Sequence, residues 1–354
     1  MSSFWSKTAK GVTPYVPGEQ PQDKQYIKLN TNENPYPPSP KVLEAIQDAA
    51  SLLRLYPDPE ALELRKAIAK HFGLSHQEVF VGNGSDEVLA FAFMAFFMPD
   101  RPVVYPDITY TFYEVYASLF GVKATTIPVR EDFTIDIRPY CTDRAGVIMA
   151  NPNAPTGLLL GLKEVETIVR SNPNNVVIID EAYVDFGGQS AVTLVRDCPN
   201  LLVVQTFSKS RALAGMRVGF AIGSTELIEG LNRIKDSINS YPLDRLALAC
   251  AKAAIEDDQY FKDITQRIIK TREGTKGALR AMGFNVLDSK ANFVFVSHSD
   301  IHAAQLFKEL RERGILTRHF PRPRIDNFLR VTIGTEEQMS QFIEALREVI
   351  ADRQ

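Results

Sequence analysis

Between residues 79 and 223 the chain alternates short β-branched runs with stretches of helical spacing. Runs at 79–81, 102–104, 146–150, 176–180, 201–206 and 218–222 read as strands, apolar at successive rather than alternate positions. A strand that is apolar on both faces is covered on both faces, so the pattern predicts a mostly parallel sheet flanked by helices. Ligands of such sheets bind beyond the carboxyl ends of the strands. That rule brings the turn at Gly82, Asn151, Asp180 and Lys209 to one edge.

Ahead of the sheet, Val42, Ala45, Ile46 and Ala49 recur at helical spacing, and a second helix runs over 60–72 until Gly73 stops it. Beyond about Ser240 the pattern changes to helices at 243–256 and 259–282, then a strand at 293–296, a helix ending near Gly314, a strand at 329–333 and a last helix. Thr335 and Gln338 offer that helix a capping box. The expected architecture is α/β. A proline-rich polar arm spans 1–30, a large domain 31–242 and a smaller α+β domain 243–354. The arm has too little apolar surface for a core of its own and is expected to lie over something else.

Composition narrows the partners. A length of 354 residues suits two domains, and a net charge of −3 lacks the basic footprint of a nucleic-acid partner. Cys141, Cys198 and Cys250 are isolated, which fits a reducing compartment and neither a disulfide framework nor a zinc site. Residues 1–11 lack the apolar core of a signal peptide. The apolar stretch 88–98 is far short of the roughly 20 residues a membrane helix needs. A cytoplasmic protein without membrane contact is expected. His298 and His302 share a spacing of four with no third ligand nearby, so no metal is expected.

The chemistry lies in an ordered set. Lys209 follows Thr206-Phe207-Ser208, Arg217 comes eight residues later, and Asp180 and Tyr183 close the strand upstream. Lysine, carboxylate, phenol and arginine are what pyridoxal 5′-phosphate needs: a covalent anchor, a partner for the pyridine nitrogen, a donor to the ring hydroxyl and a counter-charge for phosphate. Gly82-Asn83-Gly84-Ser85-Asp86 opens a helix whose first N–H groups make an anion site. Taken singly, Asp180 and the Gly84 turn are ordinary helix starts, Lys209 a solvated loop lysine and Tyr110 a core aromatic. Together they favour the cofactor, with Tyr110 stacked on its ring and an asparagine of the turn 151–157 donating to its hydroxyl.

These motifs, with Thr13-Pro14-Tyr15, Asn30-Thr31-Asn32-Glu33-Asn34-Pro35, Tyr56-Pro57-Asp58, Asn151-Pro152-Asn153-Ala154-Pro155-Thr156-Gly157 and Leu329-Arg330-Val331-Thr332, cover nearly the whole chain. The chain resembles the fold-type I pyridoxal-phosphate enzymes, and among them the histidinol-phosphate aminotransferase family. The resemblance implies that Lys209 carries the cofactor and shuttles a proton, while Asp180 and Tyr183 tune the ring. Ser208, Arg217, Gly84 and the amides of Ser85 and Asp86 would hold the cofactor phosphate. Tyr56 would reach it from a second subunit, which implies a homodimer with shared active sites. Arg330 would grip the substrate, with Arg318, Tyr15 and Asn32 beside it; Arg322 and Arg324 lie close enough to compete with Arg318 for a substrate phosphate. One departure stands out. Many relatives have asparagine directly before Pro-Thr-Gly, and Ala154 stands there here, so the resemblance leaves the ring-hydroxyl role to Asn153 or to a neighbour. A decarboxylase of amino-acid phosphates and an aromatic or broad-range aminotransferase share nearly every motif. A catalytically silent cofactor-binding regulator would lack any need for Lys209.

Overall fold

The computed structural model describes residues 3–353, so Met1, Ser2 and Gln354, the extreme ends of the expected arm and small domain, lie outside it. The amino-terminal segment carries one short helix, α1 (Lys7–Gly11), and a two-residue strand, β1 (Ile27–Lys28). Helices α2 (Pro40–Ala50) and α3 (Leu62–Phe72) follow, the latter closed by Gly73 at φ 68°. Only glycine adopts that left-handed stop freely.

One sheet then forms from β2 (Val79–Asn83), β3 (Val103–Pro106), β4 (Ala124–Ile127), β5 (Gly146–Ala150), β6 (Val177–Asp180), β7 (Leu201–Thr206) and β8 (Val218–Gly223), in the order β2-β8-β7-β6-β5-β3-β4. Between strands run α4 (Gly84–Phe96), α5 (Phe112–Phe120) and α6 (Leu162–Arg170). The double-sided apolar runs have a direct consequence. Val147, Ile179 and Val203 enter a core on one face, while Ile148, Ile178 and Leu202 enter the core under α4 on the other. Successive side chains point oppositely, so each strand needs both layers. The strand expected at 102–104 extends to Pro106. β4 escaped the sequence pattern because it is a solvated edge, with Thr125 and Thr126 exposed.

The strands are parallel except β8, which runs antiparallel to both β2 and β7. This exception positions the site. At the carboxyl edge β6 and β7 end with Asp180 and the approach to Lys209, and the reversed β8 begins there, so Arg217, which precedes it, arrives at the same edge.

After α7 (Thr225–Ile238) come α8 (Arg245–Glu256) and the long α9 (Asp258–Ala281). The sequence pattern groups α8 with the C-terminal unit, yet its Ala247, Cys250, Ala251 and Ile255 are buried in the large sheet's core, against α2 and α3. A second sheet, β12-β13-β10-β9, is built from β9 (Phe284–Val286), β10 (Phe293–His298), β12 (Arg318–His319) and β13 (Leu329–Thr332). It packs with α10 (Ala303–Glu312) and α11 (Glu336–Ala351), which starts in the capping box of Thr335 and Gln338. The short β11 (Ile315–Leu316) pairs with β1, and Leu29 just beyond is buried in the same core as Leu329 and Val331. Among the described residues no helix is long and apolar enough to cross a membrane.

Candidate active site

A cavity of about 490 Å³ opens at the carboxyl edge of the large sheet and is lined by both sheets and the amino-terminal segment. Asp180, Tyr183, Ser208, Lys209 and Arg217 come from the large sheet's edge, Ser85, Asp86 and Tyr110 from the starts of α4 and α5. Arg318 and Arg330 come from the small sheet, Tyr15 and Asn32 from the segment crossing between them.

One end is built for an anion. The N-terminus of α4 meets β8 at Gly219, where a side-chain carbon would fall 2.3 Å from the Ser85 nitrogen. Glycine there lets the sheet approach the helix start closely. Arg217 is held in the left-handed region at φ 53°, a cost borne by few non-glycine residues outside functional sites. Its guanidinium rests against Gly84, at 2.6 Å from where a side-chain carbon would stand. Gly84 therefore serves as the bare floor of the arginine, itself at φ 80°. Arg217 donates to Asp86 at 3.1 Å, and the other Asp86 oxygen accepts from the Tyr110 hydroxyl at 2.7 Å. Thr206 donates to the Ser208 hydroxyl at 3.0 Å.

The other key groups are deeply desolvated. Asp180 accepts from Tyr113 at 2.8 Å and from the Ala182 N–H at 3.2 Å. No cation among the described residues pairs with it, and burial pushes its carboxyl up to about 6. Burial, and next the charge of Arg330, brings the Lys209 amine down to about 8. The amine donates to the Thr31 carbonyl at 3.1 Å and lies 5.9 Å from the Tyr183 ring centre. Burial raises the Tyr183 phenol, opposed by Arg330 and by the Asn32 amide that donates to it at 2.9 Å.

Sequence reasoning missed two residues. Tyr113 reads as a core aromatic at helical spacing, and only the fold shows its hydroxyl reaching Asp180. Glu181 is a fully buried carboxylate that binds Ser190, the Ala191 N–H and Gln205, tying the loop after β6 to β7. Burial pushes it up to about 7.

Asn153 requires correction. It is buried behind the cavity wall, its amide donating to the Ile108 carbonyl at 3.0 Å and to Thr156 at 3.1 Å, its oxygen accepting from Thr109 at 2.9 Å. Asn151 is likewise engaged with Leu160 at both ends of its amide. Ala154 lines the cavity instead, as does Tyr183.

The arginines now separate. Arg330 donates to the Asn30 carbonyl at 2.9 Å, while its buried Nε has no partner. Arg318 lines the cavity and holds the Val16 and Pro17 carbonyls at 2.9 and 3.2 Å, beside Tyr15. Arg324 is taken by Asp107 and the Val129 and Arg130 carbonyls, and Arg322 leans toward Glu114. Tyr56 stays outside this cavity, 78% exposed, its ring 5.0 Å from Tyr241 and its carbonyl held by Arg245. No group of three or more potential metal ligands occurs among the described residues.

The model of the family "Aminotransferase class I and II" matches residues 24–346. A histidinol-phosphate aminotransferase of Clostridium acetobutylicum is 57% identical over 352 residues, 99% of this chain and 100% of that one. One from Acinetobacter baumannii is 54% identical over 98% of this chain and 97% of its own. Among solved structures, the histidinol-phosphate aminotransferase of Sinorhizobium meliloti in complex with pyridoxal-5′-phosphate superposes with a TM-score of 0.90, at 25% identity over 99% of both chains. With lysine, carboxylate, phenol and arginine meeting at one sheet edge, and with relatives matched from end to end, the chain belongs to the class I and II aminotransferases, in the branch formed by the histidinol-phosphate aminotransferases.

Proposed function

We propose that the protein moves an amino group between L-histidinol phosphate and 2-oxoglutarate, a step of histidine biosynthesis, using pyridoxal 5′-phosphate. The observation that carries the reading is the pairing of Arg330 and Arg318 in one cavity with Lys209. Two groups there want what the cofactor and substrate offer: Asp180 lacks a cation and the buried Arg330 Nε lacks an acceptor. When bound, the cofactor supplies an electron sink for negative charge at the amine-bearing carbon. Lys209 Nζ would anchor it and would serve as the base and acid that moves the proton of that carbon. Asp180 would keep the pyridine nitrogen protonated, and Tyr110 would pack against the ring. Arg217, Ser208 and the N–H groups of Ser85 and Asp86 at the head of α4 would hold the phosphate. Incubation with histidinol phosphate and 2-oxoglutarate should release glutamate. Absence of glutamate, with carbon dioxide released from an amino-acid phosphate, would transfer the reading to the decarboxylase.

Glutamate carries a carboxylate where histidinol phosphate carries a phosphomethyl group. A planar guanidinium suits both, and the larger dianion needs a second cation. Arg330 takes the shared role and Arg318 the added one. Arg330→Ala should raise KM for both substrates, whereas Arg318→Ala should harm histidinol phosphate far more, by roughly 1.5–3 kcal/mol in kcat/KM for one charge-assisted bond. Equal losses on both substrates count against this division.

The exposed Tyr56, propped by Tyr241 and Arg245, fits a residue that completes a second subunit's phosphate site. The working form would then be a homodimer. Lys209→Ala mixed with Tyr56→Phe should regain activity through hybrid dimers holding one intact site, and a fully active monomer in solution refutes this.

A further inference from the structure

Asn32 lies in the left-handed region at φ 56°, which asparagine and aspartate tolerate better than other side-chain-bearing residues. Its backbone N–H donates to Thr332 Oγ1 at 2.9 Å, its Oδ1 accepts from the Thr332 hydroxyl at 3.0 Å, and its Nδ2 donates to Tyr183 Oη at 2.9 Å. Both Asn32 and Thr332 are buried.

The direction of every proton in this chain follows from one fixed donor. A backbone N–H can only donate, so Thr332 Oγ1 accepts from it and must give its own proton elsewhere. Asn32 Oδ1 is the acceptor at hand. That choice leaves Nδ2 facing Tyr183, and an amide N–H can only donate to the phenol oxygen. The phenol proton is thereby turned away from Asn32 and toward the cavity, which Tyr183 lines. The reversed amide would strip the Thr332 proton of that acceptor in a buried place and would draw the phenol proton to itself.

We propose that Thr332 and Asn32 are positioning residues that aim the Tyr183 hydroxyl proton at the ring oxygen of the bound cofactor. Asn32 thus acts through Tyr183 and not chiefly as a substrate contact. This rests on the reading of Tyr183 as a ligand of that oxygen. A donor held there favours the oxygen's charged form and keeps the pH midpoint of the cofactor's visible absorbance low.

The test is a pH titration of that absorbance in the purified holoenzyme, without turnover. Thr332→Val preserves shape and removes the hydroxyl. Asn32→Asp preserves the backbone preference and presents an acceptor to the phenol. Each should raise the midpoint by about half to one pH unit, the worth of one hydrogen bond, and Thr332→Ser should restore it. Tyr183→Phe is the reference and should rise at least as far. An unmoved midpoint in Tyr183→Phe overturns the reading of Tyr183, and the relay with it. A shifted Tyr183→Phe beside unshifted Thr332→Val and Asn32→Asp overturns the relay alone; should Thr332→Val not fold, Asn32→Asp decides.

Discussion

Lys209→Ala should lose at least about four decades of turnover, some 5 kcal/mol at 1.36 per decade. A general base alone supplies roughly 10²–10⁴ in rate, and this residue is proposed to serve as anchor as well. The wild-type protein should be yellow, and borohydride should fix the cofactor to the peptide containing Lys209; the variant should yield no such adduct. A reducible protein-bound adduct in Lys209→Ala would falsify the assignment. The burial that holds the amine at about 8 adds a second expectation. The neutral amine is the one that captures an aldehyde. Reconstitution of the cofactor-free protein should therefore speed up as pH rises and level off above about 8, where a solvated lysine would continue toward 10.5.

Asp180→Asn should keep the cofactor and lose two to four decades of turnover, roughly 3–5 kcal/mol. A neutral amide cannot hold the pyridine nitrogen protonated, so the electron sink weakens while the phosphate grip persists. Stability should move the other way. In the ligand-free fold the Asp180 carboxyl sits at about 6, against an ordinary value of 3.8. Between those pH values the folded chain holds a proton that the unfolded chain has released. The fold thus loses stability as pH rises through this window, reaching about 3 kcal/mol above pH 6. Asparagine carries no charge to desolvate, and the Tyr113 hydroxyl can rotate to accept from its amide. At pH 7.5 the cofactor-free Asp180→Asn protein should melt above the cofactor-free wild type, and it should gain less from added cofactor. Near-normal turnover, or a lower melting temperature without cofactor, would remove Asp180 from this role.

The main groups of the site were legible because strand ends are legible. Four β-branched residues deliver Asp180 to an edge, and another apolar run brings Lys209 to the same edge. Side-chain direction within a turn was not legible. Asn153 and Ala154 are adjacent, and nothing in their order says that the amide turns inward to Ile108 and Thr156 while the methyl faces the cavity. Tyr113 was hidden for a different reason: a phenol at helical spacing looks the same whether its hydroxyl meets solvent or a buried carboxylate. The arginines near position 320 could be ranked only by partners from remote segments, Asp107 and Glu114 among them. The packing of helix α8 into the large sheet's core was not legible, because periodicity tells which face is buried and not which neighbour buries it.

The reversed direction of β8 has a bearing on how the enzyme exchanges its ligands. Because β8 runs backward, Arg217, proposed to hold the cofactor phosphate, sits at the same sheet edge as Asp180 and Lys209, while Arg318 and Arg330 belong to the other sheet. A small rotation of one sheet against the other would loosen the hold on a departing keto product and leave the cofactor's anchorage untouched. With the proposed roles, retention and release would fall to separate sheets, which would suit a catalyst that must let go of a product midway through each cycle.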